Sequence, residues 1–320
     1  MSLVSDFNSQ NFPFPFYAAL IMHRGKIISE EYFEPFTSDS LHRMFSITKS
    51  YTALAVCALA AEGKISLHDP IIKWFADMTP EHPHPYLSAM TVQDMLDMRT
   101  CHASTTYKIN MNENWVRSFF ITPPDHRSGQ IFKYDTSSSH TLAALVKRIS
   151  GKGVLDYLRT VFPKEVQISE EAHILKNRFG DEIGGSGLTA KPSDLLHTAE
   201  FLLAVYNGIG VDYFRVGDIV HNVRCRAVEG VGGGGGGFGT QRVRNCLRRG
   251  VIVVAALVAR ERGFFVALDL FAIDNISEVV GDLFNGDTLV GDAYCITRNV
   301  NAASCNSRIN AVHSDNVPVS

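Results

Sequence analysis

Ser46 and Lys49 stand in Phe45-Ser46-Ile47-Thr48-Lys49, an S-x-x-K spacing. A serine hydroxyl is a weak nucleophile, and it becomes a useful one when a neighbouring amine, made less basic by burial or by nearby charge, can accept its proton. Residues three apart share a helix face, so the spacing predicts the amine beside the hydroxyl wherever the segment is helical. A helix starting at Ser46 would add exposed N–H groups and a positive dipole end, both of which favour negative charge on the serine or on a substrate oxygen. The pattern fixes only two positions, however, and recurs about once by chance in a chain of 320 residues. On these residues alone, a helix-terminal serine followed by a solvated lysine is the default reading.

Other residues capable of chemistry give weaker patterns. His82-Pro83-His84-Pro85 places two imidazoles near each other, but the prolines hold the chain extended and no H-E-x-x-H or paired C-x-x-C completes a ligand set, so no metal is expected. Cys57, Cys101, Cys225, Cys246, Cys295 and Cys305 include no C-x-x-C pair, and disulfides are not expected. Arg242, Arg244, Arg248, Arg249, Arg260 and Arg262 form a local basic cluster without the aromatic partners of a nucleic-acid surface, which reads as a solvated sheet edge. Six consecutive glycines at 232–237 lack the G-K-[ST] ending of a phosphate-binding loop and read as a low-complexity loop.

The elements that must position Ser46 and Lys49 follow from periodicity. Residues 17–23 and 26–33 are β-prone runs separated by Arg24-Gly25, which predicts a hairpin. From 46 to 62 the apolar residues Tyr51, Leu54, Ala55, Ala58 and Leu59 recur at helical spacing, with Gly63 where a helix-ending glycine belongs. Helices are also predicted over 91–98, headed by Thr91; over 138–150, ended by Gly151; and over 193–206, entered through Pro192. Two continuous apolar runs, 251–259 and 264–273, are joined by the charged turn 260–263 and predict two buried antiparallel strands. A last helix over 276–284 is weaker, and the tail after Asp292 carries little signal. Strands at both ends around a helical middle predict an α/β sheet domain from 1–63 and 209–320, with a mainly helical domain, 64–208, inserted.

Composition bounds the function. A chain that is 45% hydrophobic and 20% charged, with both signs mixed, can bury a substantial core. A formal net charge of −3 gives no drive towards nucleic acid or anionic membrane, which leaves a small neutral or mixed-charge molecule as the expected partner. The longest apolar run, nine residues at 251–259, is well short of the roughly 20 needed to span a bilayer, and no basic-then-apolar leader opens the sequence, so a cytoplasmic location is expected.

The context of the S-x-x-K carries more than the motif. The segment 42–51, with 62–71 (Glu62-Gly63-Lys64-Ile65-Ser66-Leu67-His68-Asp69-Pro70-Ile71) and 91–100 after it, resembles the nucleophile region of the serine β-lactamase-related family. The branch it resembles contains class C β-lactamases, penicillin-binding proteins, related esterases and 6-aminohexanoate-oligomer hydrolases. That resemblance implies a β-lactamase/transpeptidase-like α+β fold: an antiparallel sheet with flanking helices, plus an inserted helical domain. It implies Ser46 as nucleophile and Lys49 as its proton partner. Phe132-Lys133-Tyr134-Asp135-Thr136 resembles the family's second element, a tyrosine followed two places on by Asn or Ser, which makes Tyr134 the implied second proton carrier. Thr136 departs from Asn or Ser but keeps a hydroxyl, expected to reach Lys49. Residues 183–196 resemble the family's Gly-rich turn before a helix, read as letting backbone pass close behind the site.

The family's third element, a strand edge that donates an N–H to the oxyanion, has its nearest match in Gly237-Phe238-Gly239-Thr240-Gln241. It implies the Phe238 N–H as a second donor beside that of Ser46, with Gly239 next to it. The expected function is a serine hydrolase that forms an acyl-enzyme on Ser46 and cleaves a small ester, amide or β-lactam carbonyl, with no metal or organic cofactor. The other reading is a catalytically silent binding protein on the same scaffold, its oxyanion edge degraded by the glycine tract.

Overall fold

The computed structural model describes residues 17–23, 26–164, 166, 168–206, 251–254, 259–261, 264–266 and 271–272. The expected hairpin is β1 (Ala18–His23) and β2 (Lys26–Tyr32), paired antiparallel from Ala18↔Tyr32 to His23↔Lys26 with one irregularity between Ile21 and Met22. Ala18, Leu20 and Met22 of β1 are buried, whereas β2 is largely exposed.

After β3 (His42–Arg43) and a 3₁₀ turn over Phe45–Ile47, the chain enters α1 (Thr48–Ala61) and leaves it at Gly63, whose φ of +72° suits a residue without Cβ. Nine residues of α1 are buried, from Thr48 to Leu59, so the helix is wrapped by its neighbours rather than laid on a surface. Shorter helices follow: α2 (Pro85–Ser88), α3 (Val92–Leu96), α4 (Thr106–Ile109) and α5 (Trp115–Ile121). Thr91 heads α3 in a capping box, accepting from the Asp94 N–H at 3.1 Å while the Asp94 carboxylate accepts from the Thr91 N–H at 2.9 Å. This helix stops at Leu96, short of the expected Met98, because Met98 takes a left-handed φ of +56°.

The helix expected over 138–150 is α6 (Thr136–Ser150), two residues longer at its start because Asp135 is the N-cap; Gly151 ends it at φ +73°. α7 (Val154–Val161), β4 (His173–Ile174), β5 (Leu188–Ala190) and α8 (Pro192–Tyr206) complete this part of the chain. β3, β5 and β4 form a small sheet in that order, and it joins the segment before Ser46 to the segment after Gly187. The core between the helices is aromatic and aliphatic: Phe75, Phe119, Phe120, Met90, Met95, Leu142 and Leu145 are fully buried, and Phe75 stacks on Phe120 at 4.9 Å.

The two C-terminal runs are divided differently from the expectation. The first gives β6 (Val251–Val254) and then β7 (Ala259–Glu261); the second gives β8 (Phe264–Val266) and β9 (Phe271–Ala272). β6 joins β1 and β9 in a four-stranded sheet of order β2-β1-β6-β9, so one sheet holds strands from both ends of the described chain, and β7 pairs with β8 as a separate hairpin. Arg260 and Glu261, expected in the turn, belong to β7. An uninterrupted apolar run has no period, and so nothing in it marks where a strand changes partners. The expected helix over 276–284, the tail after Asp292 and the glycine tract with Phe238 and Gly239 lie outside the described residues.

Candidate active site

The approach to Ser46 is fixed from two sides. The Met44 N–H donates to the Leu188 carbonyl of β5 at 2.8 Å, and the Leu188 N–H donates to the Thr48 hydroxyl at 2.9 Å. Thr48 is fully buried and also donates to the Phe45 carbonyl, so it clamps the first turn of α1 against β5. Between these anchors Phe45 takes φ +42°, a left-handed conformation that costs a residue with a side chain about 1–2 kcal/mol. Strain of this kind persists only where surrounding contacts over-determine it. The sharp turn leaves Ser46 exposed at the mouth of the helix.

Lys49 lies one helical turn on, and its Nζ is 3.2 Å from Ser46 Oγ. The same Nζ donates to the Gly185 carbonyl at 2.6 Å and sits 4.7 Å above the centre of the Tyr134 ring. Burial pulls the Lys49 amine down from its ordinary value to about 8, against the opposing influence of the Asp135 carboxylate. The structure thus brings Ser46, Lys49 and Tyr134 together around one ammonium or amine. Tyr134 remains 37% exposed, open to an incoming molecule.

Gly184 and Gly185 pass between α1 and α6 at close range. A Cβ on Gly184 would stand 2.2 Å from Ala143 Cβ and 2.9 Å from the Ser139 carbonyl oxygen; on Gly185 it would stand 2.4 Å from Thr136 Cγ2 and 2.9 Å from the Thr136 carbonyl oxygen. Two side-chain-free residues are therefore required for this crossing. The Gly184 carbonyl accepts from Thr52 at 2.8 Å, just as that of Gly185 accepts from Lys49. The close backbone approach expected of residues 183–187 is what the structure places here.

Thr136, whose hydroxyl is expected to reach Lys49, interacts through its side chain with the Tyr107 phenol. Tyr107 stacks on Trp115 at 4.4 Å, and burial, followed by the charge of Asp135, pushes its phenol up to about 12. Neither Tyr107 nor Asp135 was singled out from sequence. Asp135 carried a signal, an acidic residue directly before Thr-Ser-Ser at a helix start; Tyr107 carried none. The segment bearing Tyr134 is held by Lys133 N–H to the Met98 carbonyl at 2.8 Å and Gly129 N–H to the Arg99 carbonyl at 2.8 Å, so the end of α3 sets its position.

Phe238 and Gly239 fall outside the described residues. Among the described residues no group of three or more His, Cys, Asp or Glu is placed to hold a metal, and no helix is long and apolar enough to cross a membrane. Cys57 and Cys101 are buried free thiols, both pushed up to about 12 by burial and so poor nucleophiles.

Residues 14–164 match the family model described as Beta-lactamase. The 6-aminohexanoate-dimer hydrolase of Paenarthrobacter ureafaciens is 22% identical over 205 residues, covering 58% of this chain and 51% of that protein. This chain therefore spans about half the length of the curated relative it matches. Among solved structures, a Bacillus anthracis protein provisionally assigned as a 6-aminohexanoate-dimer hydrolase aligns with a TM-score of 0.51 at 19% identity, covering 60% of this chain and 55% of that one. A Bacteroides dorei protein provisionally assigned as a β-lactamase aligns with a TM-score of 0.51 at 14% identity, over 65% and 63% of the two chains. These similarities establish a β-lactamase/transpeptidase-like fold, with helices and antiparallel strands arranged as described above. The segment matched by that family model contains Ser46, Lys49 and Tyr134.

Proposed function

We propose that the protein is a serine hydrolase that forms an acyl-enzyme on Ser46, with a small amide as its substrate class. The observation that carries this reading is the Lys49 amine, 3.2 Å from Ser46 Oγ and lowered to about 8 by burial. At pH 7 an amine of that basicity is neutral in about one molecule in ten, against about one in three thousand for an ordinary lysine, roughly a 300-fold gain in proton-accepting form.

In acylation, Ser46 Oγ bonds to the substrate carbonyl carbon as its proton passes to the Lys49 amine. The carbonyl π pair moves to oxygen, which accepts hydrogen bonds donated by the Ser46 N–H and, in our reading, the Phe238 N–H beside Gly239. Collapse of this intermediate breaks the bond to the leaving amine, which takes a proton relayed from Lys49 through the Tyr134 hydroxyl. Water then adds to the acyl-serine with the same groups returning the proton to Ser46. The Gly185 carbonyl keeps the amine pointed at the serine throughout. A relative named for hydrolysing the dimer of an amino acid, in which an amide joins the units, favours an amide over an ester or a β-lactam. On this reading the sheet domain is drawn from 1–63 and 209–320 and the helical domain from 64–208. A fluorophosphonate tests the proposal, since it phosphonylates only a serine that has been activated.

A further inference from the structure

Asp135 fills the position between Tyr134 and Thr136, and it is 1% exposed. Its carboxylate oxygens accept from the Ser137 N–H at 2.9 Å, the Ser138 N–H at 3.2 Å and the Ser137 hydroxyl at 2.6 and 2.7 Å. Its own N–H donates to Met98 Sδ at 3.2 Å. The residue is therefore fixed both to the first turn of α6 and to the end of α3. A cap alone does not require a charge here, because Asn and Ser cap helices about as well as Asp, and a buried charge carries a desolvation cost that a neutral cap avoids.

The titratable groups that feel the charge of the carboxylate come from three separate elements. They are Lys49 on α1, His102 on the segment after α3, and Tyr107 on α4. His102 is buried, and burial lowers its proton affinity, so it stands as a neutral imidazole edge-on to Phe119. Tyr107 is a neutral phenol. Lys49 is thus the group of the three that becomes a cation in the proposed reaction.

We propose that Asp135 is a positioning residue of the Ser46 site: it locks the first turn of α6, so that Tyr134 and Thr136 meet Lys49 and Gly185, and it supplies the counter-charge for the ammonium formed when Ser46 gives up its proton. The inference rests on the reading of Ser46 as nucleophile. Its chemistry is a balance. Burial without a counter-charge would leave Lys49 neutral but too weak a base to hold the serine proton, and a direct ion pair would hold the proton permanently. A carboxylate already saturated by cap hydrogen bonds lies between these limits. It opposes the effect of burial on Lys49 without cancelling it.

The test is an NMR titration of the full chain labelled at lysine Cε, with the Lys49 signal assigned by its loss in Lys49→Arg. Parent, Asp135→Asn and Asp135→Ser are compared, both variants being uncharged caps. Lys49 is expected to titrate near pH 8 in the parent and at lower pH in both variants, while their thermal midpoints stay close to that of the parent. A Lys49 titration unmoved in either folded variant overturns the counter-charge. Unfolding of both variants overturns the account of the cap. Fluorophosphonate labelling of the parent is run alongside: a shifted Lys49 with an unlabelled Ser46 would leave the counter-charge standing and remove the nucleophile assignment.

Discussion

Gly185→Ala isolates the close backbone crossing behind the nucleophile. The added Cβ would stand 2.4 Å from Thr136 Cγ2 and 2.9 Å from the Thr136 carbonyl oxygen, where ordinary contact is 3.4–4 Å. The methyl can rotate away, but the carbonyl is part of the first turn of α6 and cannot. About half an ångström or more must therefore be absorbed by moving residue 185 away from Thr136. Overpacking on this scale costs about 1–3 kcal/mol, and at roughly 2–4 °C per kcal/mol a central value of about 2 kcal/mol lowers the melting temperature by roughly 4–8 °C. The larger effect falls on catalysis, because the carbonyl of the same residue holds Lys49 Nζ at 2.6 Å. Misplacement of a catalytic group by about 1 Å can cost about 100-fold, and a shift of half that distance predicts a loss of kcat of at least ten-fold. The assay is hydrolysis of a p-nitrophenyl ester, run with a calorimetric melt. Gly180→Ala is the control, since its Cβ would meet nothing within 4 Å and any effect comes from its φ of +84°. Parental kcat and parental melting in Gly185→Ala would refute the argument that this crossing positions Lys49.

Two further outcomes are expected. Tyr134→Phe removes the hydroxyl but keeps the ring beneath Lys49 Nζ at 4.7 Å, so the fold should survive while acylation, followed by stopped-flow, slows about 100-fold or more; a change of only a few-fold would make Tyr134 a wall of the site. His140 is buried, with Nε2 facing the Asn177 amide nitrogen at 3.4 Å, and burial lowers it to about 4. Because the unfolded chain binds this proton near pH 6.5 and the folded chain does not, stability present above pH 6.5 is lost as pH falls towards 4. Over two units this amounts to about 3 kcal/mol. Denaturant titrations at pH 7 and 4.5 should therefore show a smaller acid loss in His140→Asn than in the parent, and equal losses would exclude His140 as an acid-labile group.

The site was legible in sequence where its geometry is local. Ser46 and Lys49 meet because three residues make about one turn of the 3₁₀ and α segments that hold them, and the helix limits at Gly63, Gly151 and Pro192 follow from backbone chemistry that each residue carries with it. The partner of the Lys49 amine was not legible, because 136 residues separate it from the Gly185 carbonyl and no periodicity spans that distance. Asp135 was hidden for a different reason: its cap role is local and readable, but its influence on Lys49 depends on how α1 and α6 pack. The neighbour of the Thr136 side chain, Tyr107, was not legible either, because its approach depends on α4 and α5. In the C-terminal runs antiparallel pairing was legible and strand limits were not, since residues that are apolar throughout fix no register.

The central claim is that Lys49 activates Ser46. Its most direct test is intact-mass and peptide analysis of the protein after brief exposure to a fluorophosphonate at pH 8, with Ser46→Ala and Lys49→Ala treated alongside. The account predicts one adduct per chain, mapped to Ser46, absent in Ser46→Ala and slowed by orders of magnitude in Lys49→Ala. No adduct on a folded parent, or labelling at the parental rate without Lys49, would contradict it.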